Sequence, residues 1–242
     1  MGKIIALWGC PASGKTTLCV KLTKAIYDRY AAKILCVFGD TVIPSLPLLF
    51  PMGKEETTMH SLGGLLADVE ITPDSLLRYM VTTNEAKDIG FLGYRGGENR
   101  HTYPAHTAEK AAGMLEIAAS LADFVLVDAG WYLTAPLAEA AVRNAATVFK
   151  VIRPGLPGIG FLNSQEALYN DPCYRLQEHQ TILNVPHTGY LPVEETAQTL
   201  GIQTIIPYAW EVEQQMMVGL LLHRVQAGSF NRAMGQLVET VV

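Results

Sequence analysis

The chain has 242 residues, 49 % of them apolar and 17 % charged, with a formal net charge of −5. That balance excludes a disordered or fibrous chain and leaves ample apolar material for a buried core. It also excludes a general electrostatic attraction to nucleic acid or anionic lipid, leaving only local patches for such a role.

The N-terminus opens on the apolar run IIALW (4–8), a strand of the continuous kind expected when both faces are buried. The run before Cys10 is too short for a signal-peptide core, and Ala6 stands where N-myristoylation wants Ser or Thr. No apolar stretch approaches the ~20 residues of a membrane span. The four cysteines, Cys10, Cys19, Cys36 and Cys173, lack paired metal spacing and are expected as reduced thiols of a cytoplasmic protein.

The first strand runs into GCPASGKTT, in which Gly9, Gly14, Lys15 and Thr16 meet the pattern G-x-x-x-x-G-K-S/T, and a helix is predicted over 15–30. Strand, loop and helix in that order form a phosphate cradle. Its backbone from Gly9 through Cys10, Pro11, Ala12, Ser13 and Gly14 to Thr17 wraps the anion at a helix N-terminus. Lys15 reaches the β/γ-phosphates, and the Thr16 hydroxyl is a Mg²⁺ ligand.

KILCVF (33–38) is the second predicted strand, followed by Asp40 in a Pro-rich loop (41–54). If this strand lies beside the first, Asp40 points into the phosphate site and orients the attacking water or a Mg²⁺-bound water. The alternative is a carboxylate that only closes its own turn. A helix is predicted at 73–82 and a strand at 89–94. GYRGGENRHTYPAH (93–106) carries Arg95, Arg100, His101 and His106 and is expected to be a solvated surface loop. After a helix at 107–122, the strand FVLVD (124–128) ends in Asp128, a Walker B-like carboxylate that holds a Mg²⁺-bound water.

Further strands are predicted at 147–152, 181–185 and 203–207, and helices at 134–144, 160–170, 193–200, 211–223 and 229–240. The alternation indicates one α/β domain over 1–242, a doubly wound, mostly parallel sheet of about seven strands. In the last helix Phe230, Ala233, Leu237, Val238 and Val241 have the spacing of a face packed on the sheet, and the helix is too poor in Lys and Arg for a membrane surface. His223, Arg224 and Arg232 are too few for more than weak DNA binding.

With these motifs the chain resembles the ParA/MinD superfamily of P-loop ATPases, and within it the TadZ/CpaE-like branch and the ParA-like proteins of conjugative elements. The resemblance rests on residues 9–17, Asp40, DFVLVDAG, VIRPGLPGIGFLNSQEAL (151–168), TILN (181–184) and IIPYAWEVEQQMMVGLLL (205–222). It implies a MinD-like (SIMIBI) fold that binds ATP or ADP with Mg²⁺ and pairs as an ATP-dependent homodimer. Such a protein answers to a partner protein and positions plasmids, chromosomes or surface and secretion machinery. It further implies that Asn184, Pro207 and Tyr208 hold adenine, with Lys15 and Asp40 catalytic and Thr16, Asp40 and Asp128 at the metal.

The chain departs from the family in two places. Cys10 stands where the signature lysine crosses to the partner's nucleotide, and Phe38 where a first switch carboxylate would be. A thiol supplies no fixed positive charge, so hydrolysis is expected to be slow or partner-dependent. The resemblance places the dimer interface around Cys10, Pro11 and the 130–136 loop, with Trp131, Tyr132 and Leu133 at its centre or tucked beneath the loop. A small-molecule kinase and a non-hydrolysing nucleotide scaffold are the alternatives; the sequence lacks a late Arg-rich lid for the former.

Overall fold

A computed structural model describes residues 1–46, 59–187 and 191–242. The later part of the Pro-rich loop, 47–54, therefore lies outside the described residues. Eight strands form one sheet: β1 (Lys3–Gly9), β2 (Ile34–Phe38), β3 (Val81–Thr83), β4 (Ala86–Gly93), β5 (Phe124–Asp128), β6 (Thr147–Ile152), β7 (Gln180–Asn184) and β8 (Thr204–Ile206). Their order is β3-β4-β2-β5-β1-β6-β7-β8. Every pairing is parallel except β3 with β4.

Helices cover both faces. In chain order they are α1 (Lys15–Tyr30), α2 (Leu62–Ala67), α3 (Pro73–Tyr79), α4 (Ala108–Leu121), α5 (Pro136–Asn144), α6 (Leu156–Ser164), α7 (Val193–Thr199), α8 (Trp210–Met217) and α9 (Gly228–Val241). Alternation along β1 shows the division. Ile4, Ala6 and Trp8 enter the core shared with α4 and α5, while Ile5 and Leu7 enter the core under α1 and α9. The α9 face is the expected one: Phe230, Ala233, Leu237, Val238 and Val241 are all buried, joined by Met234. None of the described helices is long and apolar enough to cross a membrane.

Several sequence expectations change. The helix predicted over 73–82 stops at Tyr79, because Val81–Thr83 is a β-branched run that pairs antiparallel with β4. That edge strand makes eight where about seven were expected. The apolar run Leu62–Ala67, capped by Ser61, is a helix the sequence reading missed. The 160–170 helix starts earlier, at Leu156, and gives way to 3₁₀ turns after Ser164. The 211–223 helix ends at Met217, just before Gly219 in the left-handed region (φ 72°).

The second strand does not lie beside the first. β5 sits between them, pairing with β1 on one side and β2 on the other. A crossover connection permits this by skipping a position, and β5, like β2 and nearly all of β1, is buried throughout in the middle of the sheet.

Candidate functional site

The carboxyl ends of the parallel strands converge on the loop between β1 and α1, as open α/β sheets require of a binding site. Gly9 (φ 147°) leaves β1 in a conformation and a space only glycine fits: a Cβ would meet the Val151 carbonyl oxygen at 2.0 Å. Cys10 N–H then donates to Val151 O (3.0 Å), and Ser13 N–H to Cys10 O (3.3 Å). Gly14 (φ 80°) turns the chain into α1, whose N-terminus no side chain caps and whose first turn holds no acidic residue. The helix donors therefore remain for an anion.

Ala12 is the unusual member of the loop. Its φ of 56° is left-handed, a conformation that costs a non-glycine residue roughly 1 kcal/mol or more. The Cys10 side chain turns away from the loop surface and is fully buried in the core with Trp8. Cys10 therefore contributes no side chain to the surface on which a dimer interface was expected, whereas Pro11 and Ala12 are exposed. The inward turn follows from β1 alternation, which directs positions 4, 6, 8 and 10 into the same core.

Lys15 is buried and its Nζ donates to Cys10 O (2.9 Å), folding the ammonium back over the loop. Burial lowers its pKa below the ordinary lysine value, against the pull of the Asp128 and Asp40 carboxylates. Thr16 Oγ1 donates to Asp128 Oδ2, and Gly130 N–H donates to Asp128 Oδ1 (3.3 Å). Burial raises the Asp128 pKa, and the Thr16 bond and the Lys15 charge oppose the rise. One hydroxyl and one carboxylate on adjoining elements are hard oxygen donors. They suit Mg²⁺, which takes few protein ligands and completes its shell with phosphate oxygens and water. No cluster of three or more His, Cys, Asp or Glu that could hold a metal without such help occurs among the described residues.

Asp40 follows β2, and Gly39 N–H donates to Asp128 O (2.9 Å), which brings the Asp40 loop to the phosphate end despite the intervening strand. Its Oδ1 accepts from Val42 N (2.8 Å) and Ile43 N (3.1 Å), the turn-closing role. Asp40 nonetheless acts electrostatically on both Lys15 and Asp128.

Two cavities flank the loop. On the β6–β8 side a cavity of about 300 Å³ runs from Ser13, Gly14 and Thr17 to Asn184, Pro207 and Tyr208. Asn184 Nδ2 donates to Ser13 O (2.7 Å) and ties the end of β7 to the loop. The rings of His187 and Tyr208 meet at 5.0 Å. Lys21 also lines this cavity and was not expected there; burial pushes its pKa down to about 8, and its Nζ donates to Gln215 and to His223 O (3.0 Å). The sequence signal was a lysine on the same α1 face as the buried Leu18 and Leu22.

On the β2–β4–β5 side the cavity is about 480 Å³ and mainly apolar, with Tyr94, Tyr103, Trp131 and Tyr132 in its lining. Its wall is the 93–106 loop, which is not merely a solvated surface segment. Glu98 is buried and accepts from Ser61 Oγ, Arg95 N (2.9 Å), Arg95 Nε (2.7 Å) and Tyr103 OH (2.8 Å). Burial works to raise the Glu98 pKa, but these bonds override it and hold it below the usual carboxylate range. After β5, Trp131 and Tyr132 are exposed and line this cavity, whereas Leu133 is core, 2 % exposed. The trio expected at an interface is thus divided. Of the late basic residues, Arg224 lies 3.5 Å from Asp28 and His223 3.2 Å from Glu85.

No protein-family model matches the chain, and no curated protein matches it in sequence. Solved structures do match its fold over nearly the whole length. The septum site-determining protein MinD of Pyrococcus horikoshii OT3, complexed with Mg-ADP, is similar with a TM-score of 0.75 at 19 % identity, over 100 % of this chain and 96 % of that one. A ParA family ATPase from Chlorobium tepidum TLS gives 0.75 at 14 % identity, over 98 % of each. A variant of Cyanothece McdA in complex with ATP gives 0.71 at 14 %, over 98 % of this chain and 95 % of that one. The architecture is therefore that of the MinD/ParA P-loop NTPases.

Proposed function

We propose that this chain is a Mg-ATP-binding switch of the ParA/MinD kind, working in positioning or partition, with ATP hydrolysis that is slow or depends on a partner protein. The observation that carries the reading is the uncapped N-terminus of α1 framed by Gly9, Gly14, buried Lys15 and the Thr16–Asp128 pair. In this reading the backbone of Gly9 through Thr17 wraps the phosphates, and Lys15 swings from Cys10 O to the β/γ oxygens. Thr16 and Asp128 would hold Mg²⁺, with Asp40 orienting water nearby, and the ion would supply charge neutralisation at the phosphates. Asn184, Pro207 and Tyr208 border the cavity for adenine.

Slow turnover follows from Cys10. Its buried thiol presents no cation to a neighbouring subunit, so transition-state charge is left to Lys15 and the metal. The ATP-bound homodimer of this reading meets through the phosphate-loop face, where Pro11, Trp131 and Tyr132 are exposed. A cytoplasmic location agrees with it, and DNA contact through Arg224 or Arg232 plays at most a minor part in this scheme. Membership of the TadZ/CpaE-like branch agrees with the lost signature lysine.

The experiment is titration of labelled ATP against wild type and Lys15→Ala. The expected result is an affinity loss of roughly a hundredfold, the size of two charge-assisted bonds; equal affinity overturns the reading. Light scattering coupled to gel filtration, with and without Mg-ATP, tests the dimer: a monomer in both conditions removes that part. A kinase is the second reading, favoured by the aromatic cavity beside the phosphate end. It predicts negligible ADP formation by the protein alone and γ-phosphate transfer once an acceptor is added.

A further inference from the structure

The aromatic cavity is a preformed space. Its floor is Ala129 and Gly130, and the Gly130 carbonyl accepts from Gly9 N–H (3.2 Å), so the floor is hydrogen-bonded to the first residue of the phosphate loop. Its volume of about 480 Å³ is within the usual range of small-molecule sites. The wall does not need a ligand to form, because Glu98 ties Arg95 and Tyr103 to Ser61 at the start of α2.

The polar groups around it are unevenly used. Asp40 spends Oδ1 on Val42 and Ile43 N–H. Arg100, exposed and in the lining, donates Nε to His101 Nε2 (3.0 Å) and has no carboxylate partner among the described residues. The Nε2 of His106 is buried without a hydrogen-bond partner among the described residues, and burial followed by the nearby Lys110 lowers the ring's pKa. An apolar, partly aromatic lining with an exposed guanidinium that has no carboxylate partner among the described residues selects a ligand with an apolar body and one anionic end.

We propose that this cavity is a second small-molecule site, adjoining the nucleotide cradle at Asp40 and Gly130, which takes a small carboxylate with a ring or short hydrocarbon body. The body lies among Tyr94, Tyr103, Trp131 and Tyr132, and the carboxylate meets Arg100. The site is that of the single chain; in the ATP-bound homodimer proposed above, Trp131 and Tyr132 would also border the interface.

The test is a ligand-observed saturation-transfer titration of the full chain, free of nucleotide, with 4-phenylbutyrate and with its neutral match 4-phenylbutanol. Saturable binding of both is expected, with the acid tighter. Arg100→Ala should weaken the acid by roughly tenfold, the worth of one charge-assisted bond, and leave the alcohol unchanged. Thr134→Trp fills the cavity from its exposed rim and should abolish binding of both, with an unchanged melting curve confirming the fold. Met217→Ser, on the exposed apolar surface of α8, should change neither. Absence of saturable binding overturns the proposal. So does binding that survives Thr134→Trp or is lost in Met217→Ser, and so does an Arg100→Ala effect equal for acid and alcohol. Lys15→Ala separates the two sites: it should lose ATP and keep 4-phenylbutyrate.

Discussion

The two flanks of the phosphate loop are built on different principles. The β6–β8 flank is assembled from late segments that meet the loop through separate bonds, Cys10 N–H to Val151 O on β6 and Asn184 Nδ2 to Ser13 O at the end of β7, and its cavity borders backbone and partly exposed rings. The β2–β4–β5 flank carries its own internal brace: one buried carboxylate, Glu98, gathers donors from α2 and from the loop after β4. The difference teaches where rigidity resides. A flank tied by a few separate neutral bonds can adjust as a base enters, whereas a flank organised by a buried, fully engaged charge holds its shape and fails as a unit.

The largest expected effect breaks that brace. Glu98→Ala strands the Ser61, Arg95 and Tyr103 donors around a void, and we expect a loss of about 3–5 kcal/mol in urea unfolding. Glu98→Gln, which keeps an acceptor, should lose less. A loss under about 1 kcal/mol for the alanine variant would mean that the loop is held by other contacts.

The next effect is a pH dependence beneath the other flank. His179, just before β7, accepts from Trp8 Nε1 (2.9 Å); burial, then the Lys150 charge, push its pKa down to about 4 from 6.5. The unfolded chain binds the proton first on acidification. Stability should therefore fall as pH drops from 6.5 towards 4, by about 3 kcal/mol at most, and His179→Gln should flatten that slope. Equal slopes in variant and wild type would remove His179 as the cause.

A smaller effect sharpens the distinction between shape and function at the junction of the flanks. Asp128 sits there with its pKa raised by burial, so its charge at pH 7 disfavours the folded state. Asp128→Asn should raise Tm by roughly 2–4 °C, the equivalent of about 1 kcal/mol in a chain of this size, while removing the Mg²⁺ dependence of nucleotide binding. A lower Tm would show that the carboxylate's hydrogen bonds outweigh its burial.

The smallest effect lies in the loop itself. Ala12→Gly relieves a left-handed φ of 56°. Set against the added freedom of glycine in the unfolded chain, it should stabilise by about 0.5–1 kcal/mol. Thermal melts would register this, and destabilisation would show that the observed conformation carries no strain.

The cradle was legible in the sequence because its parts are neighbours: residues 9–17 form strand end, loop and helix start in one continuous stretch, and FVLVD announces a buried strand ending in Asp128. The apolar face of α9 was legible for the same reason, since its 3.6-residue period is local. Other features are set by packing between distant segments, which no local pattern encodes. β5 separates β1 from β2, although all three are apolar runs buried on both faces and no local pattern ranks them. Cys10 points inward because β1 alternates about a core whose side is decided by α4 and α5. Glu98 reaches Ser61 across 37 residues, and Asn184 reaches Ser13 across 171. Sequence by itself determined the local conformations and the chemistry of the phosphate loop. The tertiary structure alone decided which side chains share a cavity, because chain closure over those separations is governed by the burial of whole elements rather than by the residues that end up in contact.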